Sequence, residues 1–153
     1  MWTSENDNHL ISYLLQSLFM GLEEITTKIA GLETLENKNR DAKYLCTHEF
    51  PELTAMCPVT RLPDFYKMKI EYEPDERLVE LKSFKLYLNS FREQEILHEE
   101  ITNEILNRLI RSVSPRWASI EIRVNVRGGI DTTITRYWDK EKGDLIKKTV
   151  HQP

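Results

Sequence analysis

The chain is short of the residues on which several kinds of protein depend. Two cysteines, Cys46 and Cys57, in 153 residues are too few for a disulfide-stapled scaffold and suit a reducing compartment. Five glycines are scattered, and none forms the G-x-G-x-x-G turn that cradles a dinucleotide, so a Rossmann domain is excluded. No apolar run approaches the ~20 residues that cross a bilayer. Glu5 and Asp7 stand where a secretory leader would carry positive charge, and the expectation is a cytoplasmic protein without a membrane partner. Positive charge is not in excess either: 21 Lys and Arg against 25 Asp and Glu give a net charge of −4. That removes the basic footprint of a direct nucleic-acid binder but leaves room for a local basic pocket that takes a phosphorylated small molecule.

What is present suits one α+β domain. Ile11, Leu15, Leu18, Leu22, Ile25, Ile29 and Leu32 recur in steps of four and three and predict an amphipathic helix over residues 1–33, weakened by Gly21 and Gly31. It lies either on its own domain or against another subunit. Residues 34–56 have little periodicity and predict at most a short strand near Lys43 to Cys46. Met68, Ile70 and Tyr72 alternate with Lys67, Lys69 and Glu71, the period of a half-buried strand, and Pro74-Asp75 turns into a second strand, Arg77 to Leu81, as a hairpin. A short helix is expected from Ser83 to Phe91. From Ile96 a long one is expected, with Leu97, Ile101, Ile105, Leu106, Leu109, Ile110 and Val113 on one face, stopped at Ser114-Pro115.

Ile120, Ile122, Val124 and Val126 then alternate, Arg127-Gly128-Gly129 makes a tight connection, and Ile130, Thr132 and Ile134 resume the alternation. The order ββααββ predicts an antiparallel sheet with the helices on one face. The other face meets water or is closed by further copies. Residues 34–138 form the domain in this reading, and 139–153 a solvated tail.

Cys57-Pro58-Val59-Thr60-Arg61-Leu62-Pro63-Asp64 is the candidate reaction centre. Its two prolines bar helix interior and central strand, so a thiol and a carboxylate share one stiff loop. A nucleophile and a proton donor held in advance suit covalent catalysis, although the pair alone also fits a structural loop.

Together with that loop, Val79-Glu80-Leu81-Lys82-Ser83-Phe84-Lys85-Leu86-Tyr87, Ser90-Phe91-Arg92, His98-Glu99 and Arg127-Gly128-Gly129-Ile130 resemble, in order and spacing, the QueF family of NADPH-dependent nitrile reductases. The resemblance spans about residues 32–135. It implies the tunnelling fold and rings of subunits with active sites at their boundaries. It also implies reduction of 7-cyano-7-deazaguanine to its aminomethyl product on the route to the tRNA nucleoside queuosine. Carried onto this sequence, it makes Cys57 the nucleophile that forms a thioimide and Asp64 the acid. Val79, Glu80, Leu81, His98 and Glu99 would bind substrate, Glu99 being the carboxylate that clamps ring N–H and amino groups. Lys82, Ser83, Lys85 and Arg127 would bind NADPH, and no metal is implied.

Arg61 and Leu62 depart from the Gly and Gln expected of most relatives. Cys46 has no clear family counterpart and reads as a spectator or, second, as the partner of Cys57 in a protective disulfide. Three alternatives are set beside this reading: a QueF-like amidinotransferase acting on a nitrile in tRNA, a non-catalytic deazapurine-binding subunit, and a zinc hydrolase using Cys46, His48, Cys57 and His98. The zinc reading is disfavoured because that spacing is not a standard zinc pattern.

Overall fold

The computed structural model describes residues 31–145; the heptad-spaced segment expected to form an N-terminal helix lies outside them. The elements run β1 (Thr34–Glu36), β2 (Cys46–Met56), β3 (Pro63–Glu73), β4 (Arg77–Val79), α1 (Leu81–Asn89), a 3-10 turn (Ser90–Glu93), α2 (His98–Val113), β5 (Trp117–Val124), β6 (Thr133–Asp139) and β7 (Gly143–Leu145). Five strands form one antiparallel sheet in the order β2-β3-β5-β6-β7, and β1 pairs with β4 in a second, two-stranded sheet.

Alternation in β3 and β5 sends Tyr66, Met68, Ile70 and Tyr72, with Ala118, Ile120, Ile122 and Val124 facing them in register, to one buried face. Ile101, Ile105, Leu106 and Leu109 of α2 and Phe84 and Leu88 of α1 complete that core. Each such large side chain contributes about 1.5–3 kcal/mol of burial. The helices thus cover one face, as the pattern predicts. On the reverse face Lys67, Glu121 and Arg123 are exposed, and nothing among the described residues covers them. No described helix is long and apolar enough to cross a membrane.

Three expectations need correction. Arg77–Val79 does not return along β3 as a hairpin, because both edges of β3 are already taken, by β2 (Cys46 opposite Tyr72) and by β5 (Ala118 opposite Tyr72). The strand pairs with β1 instead. Residues 46–56, read as nearly patternless, form an eleven-residue strand. A register shift between Phe50 and Leu53 puts Pro51 and Glu52 in a bulge, so the inward positions change from even (Cys46, His48, Phe50) to odd (Leu53, Ala55), which hides the alternation. Pro51 is tolerated because β2 is an edge strand. Residues 139–145 are not wholly a solvated tail. Asp139 Oδ1 accepts from the amides of Glu141 and Lys142 (2.9 and 3.1 Å), Gly143 takes φ +76°, and β7 then adds a strand to the sheet.

Candidate active site

The thiol lies where β2 turns into β3. After the last pair, Met56 opposite Pro63, the Cys57 amide donates to the Leu62 carbonyl (2.9 Å) and the Arg61 amide to the Cys57 carbonyl (2.8 Å). Arg61 adopts φ +56°, a left-handed conformation that costs a side-chain-bearing residue roughly 1–2 kcal/mol. This gives a physical reason for the glycine expected there in most relatives. The end of β2 is tied to the approach of α2 through the Met56 amide on the Gln94 carbonyl (2.9 Å) and the Ile96 amide on the Met56 carbonyl (3.1 Å). Those bonds tie the approach to α2, which His98 opens, to the end of β2 just before the thiol.

The Cys57 thiol is held below its ordinary range, first by the Thr60 hydroxyl and then by the backbone amides of Thr60 and Val59; desolvation and the Asp64 charge oppose this without overcoming it. Since the thiolate is the nucleophile, Thr60→Val should raise the thiol pKa. It should therefore slow alkylation of Cys57 by iodoacetamide several-fold at neutral pH, with the deficit closing as the pH rises above the thiol range. A pH-rate profile equal to that of the unaltered protein would remove Thr60 from the site.

Asp64, expected on a loop, is the second residue of β3 and is 2% exposed. Its Oδ1 pairs with Arg127 Nη1 at 2.8 Å. Its Oδ2 has no hydrogen-bond partner, and His98 Nδ1 stands 3.9 Å away. Arg127 Nη2 also donates to the Pro63 carbonyl. The Tyr66 hydroxyl meets His98 Nδ1 at 3.1 Å, with the two rings edge to face at 5.6 Å. Burial, followed by the charges of Asp64 and Cys57, pushes the Tyr66 phenol far above its ordinary range. It therefore stays a neutral hydroxyl beside His98. Glu99 is exposed in the first turn of α2, close enough for its charge to act on Tyr66. Cys57, Asp64, His98, Glu99 and Arg127 thus gather at one end of the sheet.

The other expected residues do not join them within one chain. Val79 is buried, and its amide donates to the Tyr72 hydroxyl at 3.0 Å. Tyr72 lies nine residues along β3 from Pro63, so at ~3.4 Å per residue the two groups are on the order of 25–30 Å apart. Glu80 caps α1: Oε1 accepts from the Lys82 amide (2.8 Å) and Oε2 from the Ser83 amide (2.7 Å). These bonds, the Ser83 amide first, hold its carboxyl below the ordinary range. The cap is therefore intact above that range and is lost as the pH falls through the lowered value. Each carboxylate oxygen keeps a lone pair for a ligand donor.

The Ser83 hydroxyl donates to the Glu80 carbonyl (2.9 Å) and accepts from the Glu33 amide (3.0 Å), which leaves no proton for a phosphate. Leu81, Lys82 and Lys85 are exposed, and neither lysine has an ion pair among the described residues. Lys85 borders a groove between β2 and α1 that Thr47, His48, Phe50 and Leu88 also line.

Tyr66 and Thr60 are the functional neighbours that the sequence did not single out. Tyr66 stands two residues after Asp64 in the same strand and so shares its face. Thr60 stands three residues after Cys57, within reach of a turn bond. Cys46 and Cys57 are both free thiols, at opposite ends of β2, and no cluster of metal-ligating side chains occurs among the described residues.

The fold and site define a small α+β protein in which a thiol with a lowered pKa stands beside a buried, arginine-paired carboxylate. The family model described as QueF-like protein matches residues 63–143, which include Asp64, Glu80, His98, Glu99 and Arg127. The chain is 48% identical over 103 residues to the NADPH-dependent 7-cyano-7-deazaguanine reductase of Alkalilimnicola ehrlichii, covering 67% of this chain and 80% of that protein. It is 43% identical over 119 residues to the reductase of the same name from an Anaeromyxobacter species, covering 77% and 98%. The crystal structure of the archaeosine synthase QueF-Like in its apo form shares the fold, with a TM-score of 0.57 and 22% identity over 61% of this chain and 91% of that one. The chain belongs to the QueF family.

Proposed function

We propose that the chain is an NADPH-dependent 7-cyano-7-deazaguanine reductase that works through a covalent Cys57 adduct. The observation that carries this reading is the buried Asp64 with one oxygen on Arg127 and the other unpartnered, beside a thiol of lowered pKa. The name carried by relatives at 43–48% identity supports it, whereas the 22% identity to the archaeosine synthase QueF-Like speaks for the fold alone.

The Cys57 sulfur adds to the nitrile carbon while the thiol proton passes by way of Asp64 Oδ2 to the nitrile nitrogen, which leaves Asp64 again as the carboxylate paired with Arg127. The product is a thioimide in which the S–C bond replaces one C–N π bond. NADPH, when bound, would supply the two hydrides that the conversion of nitrile to amine requires, one from each of two molecules; the C–S bond breaks after the first, which returns Cys57 and frees the carbon for the second. Its phosphates suit Lys82 and Lys85, two ammonium groups three residues apart on an exposed helix face with no acid already paired to them. The amides at the start of α1 do not suit them, because Glu80 already engages those donors. Glu99 and His98 take the polar edge of the base, with the Tyr66 hydroxyl holding the His98 ring in place through Nδ1.

Because the start of α1 lies far from Cys57 within a chain, the reading includes a homo-oligomeric ring of the tunnelling type, in which Glu80, Lys82 and Lys85 of one subunit complete the site of the next. Two free thiols fit a cytoplasmic setting. The test is to mix the purified protein with 7-cyano-7-deazaguanine and NADPH and follow cofactor oxidation and intact protein mass together. Two NADPH oxidised per nitrile, and a substrate-sized mass increase when NADPH is omitted, are expected. An adduct without oxidation would turn the assignment toward the amidinotransferase, and neither signal would leave a binding subunit.

A further inference from the structure

We propose that Arg127 is a positioning residue for Asp64 and not a cation for the NADPH phosphates; this rests on the reductase reading above. The sheet itself brings the two together. Beyond the last β3–β5 pair, Tyr66 opposite Val124, the Asn125 amide still donates to the Phe65 carbonyl at 2.9 Å. Continuing that register sets Arg127 directly opposite Pro63, next to Asp64. The arginine is also held at the base of a closed turn. Arg127 and Ile130 form a bridge, the Ile130 amide donates to the Arg127 carbonyl at 3.1 Å, and Gly128 and Gly129 take φ +58° and +80°. Two successive left-handed residues make the mirror-image turn that matches strand twist and that glycine adopts without cost.

The guanidinium fork is already occupied, one arm on Asp64 Oδ1 and the other on the Pro63 carbonyl. A carboxylate 2% exposed needs such a partner, because a buried charge left alone costs several kcal/mol. Pinning Oδ1 also stops rotation about the Cβ–Cγ bond. The two oxygens of Asp64 thereby become unlike: one is an anchor, and the other, Oδ2, is the single atom free to carry a proton.

The experiment compares Arg127→Gln and Arg127→Lys with the unaltered enzyme in steady-state reduction of 7-cyano-7-deazaguanine, using NADPH and then NADH. For Arg127→Gln a fall in kcat on the order of 10–100-fold at saturating NADPH is expected, the cost of misplacing a catalytic group by about an ångström. The KM for NADPH should stay within about twofold, and the preference for NADPH over NADH should be unchanged. Arg127→Lys should fall between the two. Added to Asp64→Asn, Arg127→Gln should change the residual rate by less than about twofold, because the two residues act as one unit.

A tenfold rise in the NADPH KM with kcat retained, or loss of the preference for NADPH, would assign Arg127 to the cofactor and overturn the proposal. An unaltered enzyme that fails to oxidise NADPH with the nitrile removes the reductase reading itself. An active enzyme with a kinetically silent Arg127→Gln removes this inference alone. Should Arg127→Gln not fold, Arg127→Lys, which keeps the charge, carries the same comparison.

Discussion

Cys57→Ala is expected to form no substrate-sized adduct and to lose turnover by at least ~10³-fold, more than the 10²–10⁴ that one proton-transfer group contributes at its lower end. The reason is chemical and local. A nitrile carbon accepts hydride poorly until a sulfur adds to it, and Cys57 is the thiol whose pKa the Thr60 hydroxyl and the neighbouring amides of the β2–β3 turn lower. The other thiol, Cys46, opens β2 at the opposite end, opposite Tyr72, and cannot substitute. The alanine variant should bind substrate and melt close to the unaltered protein, because the Cys57 side chain is only partly buried. Intact mass and NADPH oxidation measured side by side check this. A variant that still turns over would end the covalent mechanism.

Asp64→Asn is expected to separate the two halves of the reaction. The thiol is prepared by groups other than Asp64, whose charge in fact opposes the thiolate. The adduct should therefore still accumulate, with water supplying the proton slowly, while reduction falls by about 10²–10⁴. An amide keeps the shape and can accept from Arg127, but it cannot release a proton to nitrogen. Arg127 is about half exposed, so its charge stays solvated when the carboxylate is gone, and the melting temperature should move little. Mass spectrometry of the stalled enzyme, with and without NADPH, reads both halves in one preparation. Full turnover in Asp64→Asn would pass the acid's role to another group, with His98, 3.9 Å from Oδ2, the first to test.

The parts of the fold that could be read from the sequence are those governed by one strong period. Ile101 to Val113 repeats at helical spacing and is α2. Ile120 to Val124 alternates and is β5. Arg127-Gly128-Gly129 makes the turn that its glycines allow. The failures come from contacts that no local period encodes. β2 conceals its alternation across the bulge at Pro51, and the pairing of Arg77–Val79 was settled by which edges of β3 were already taken.

The site was legible in a similar, uneven way. Cys57 and Asp64, far in sequence from His98 and Glu99, come together with them at one end of the sheet. Glu80 and Ser83 were not foreseen as a helix cap, because a capping role depends on where the amides of Lys82 and Ser83 point. The partnership of Arg127 with Asp64 joins residues 63 apart in sequence and follows from strand register alone.

The length of β3 has one more consequence. It keeps the reactive thiol and the lysine-bearing start of α1 at opposite ends of the same molecule, so on this reading the working unit is a seam between neighbours and not a chain. Active sites are then counted by junctions. A solitary chain would be inert with every residue in place, and dilution, which breaks no fold, would switch the catalyst off.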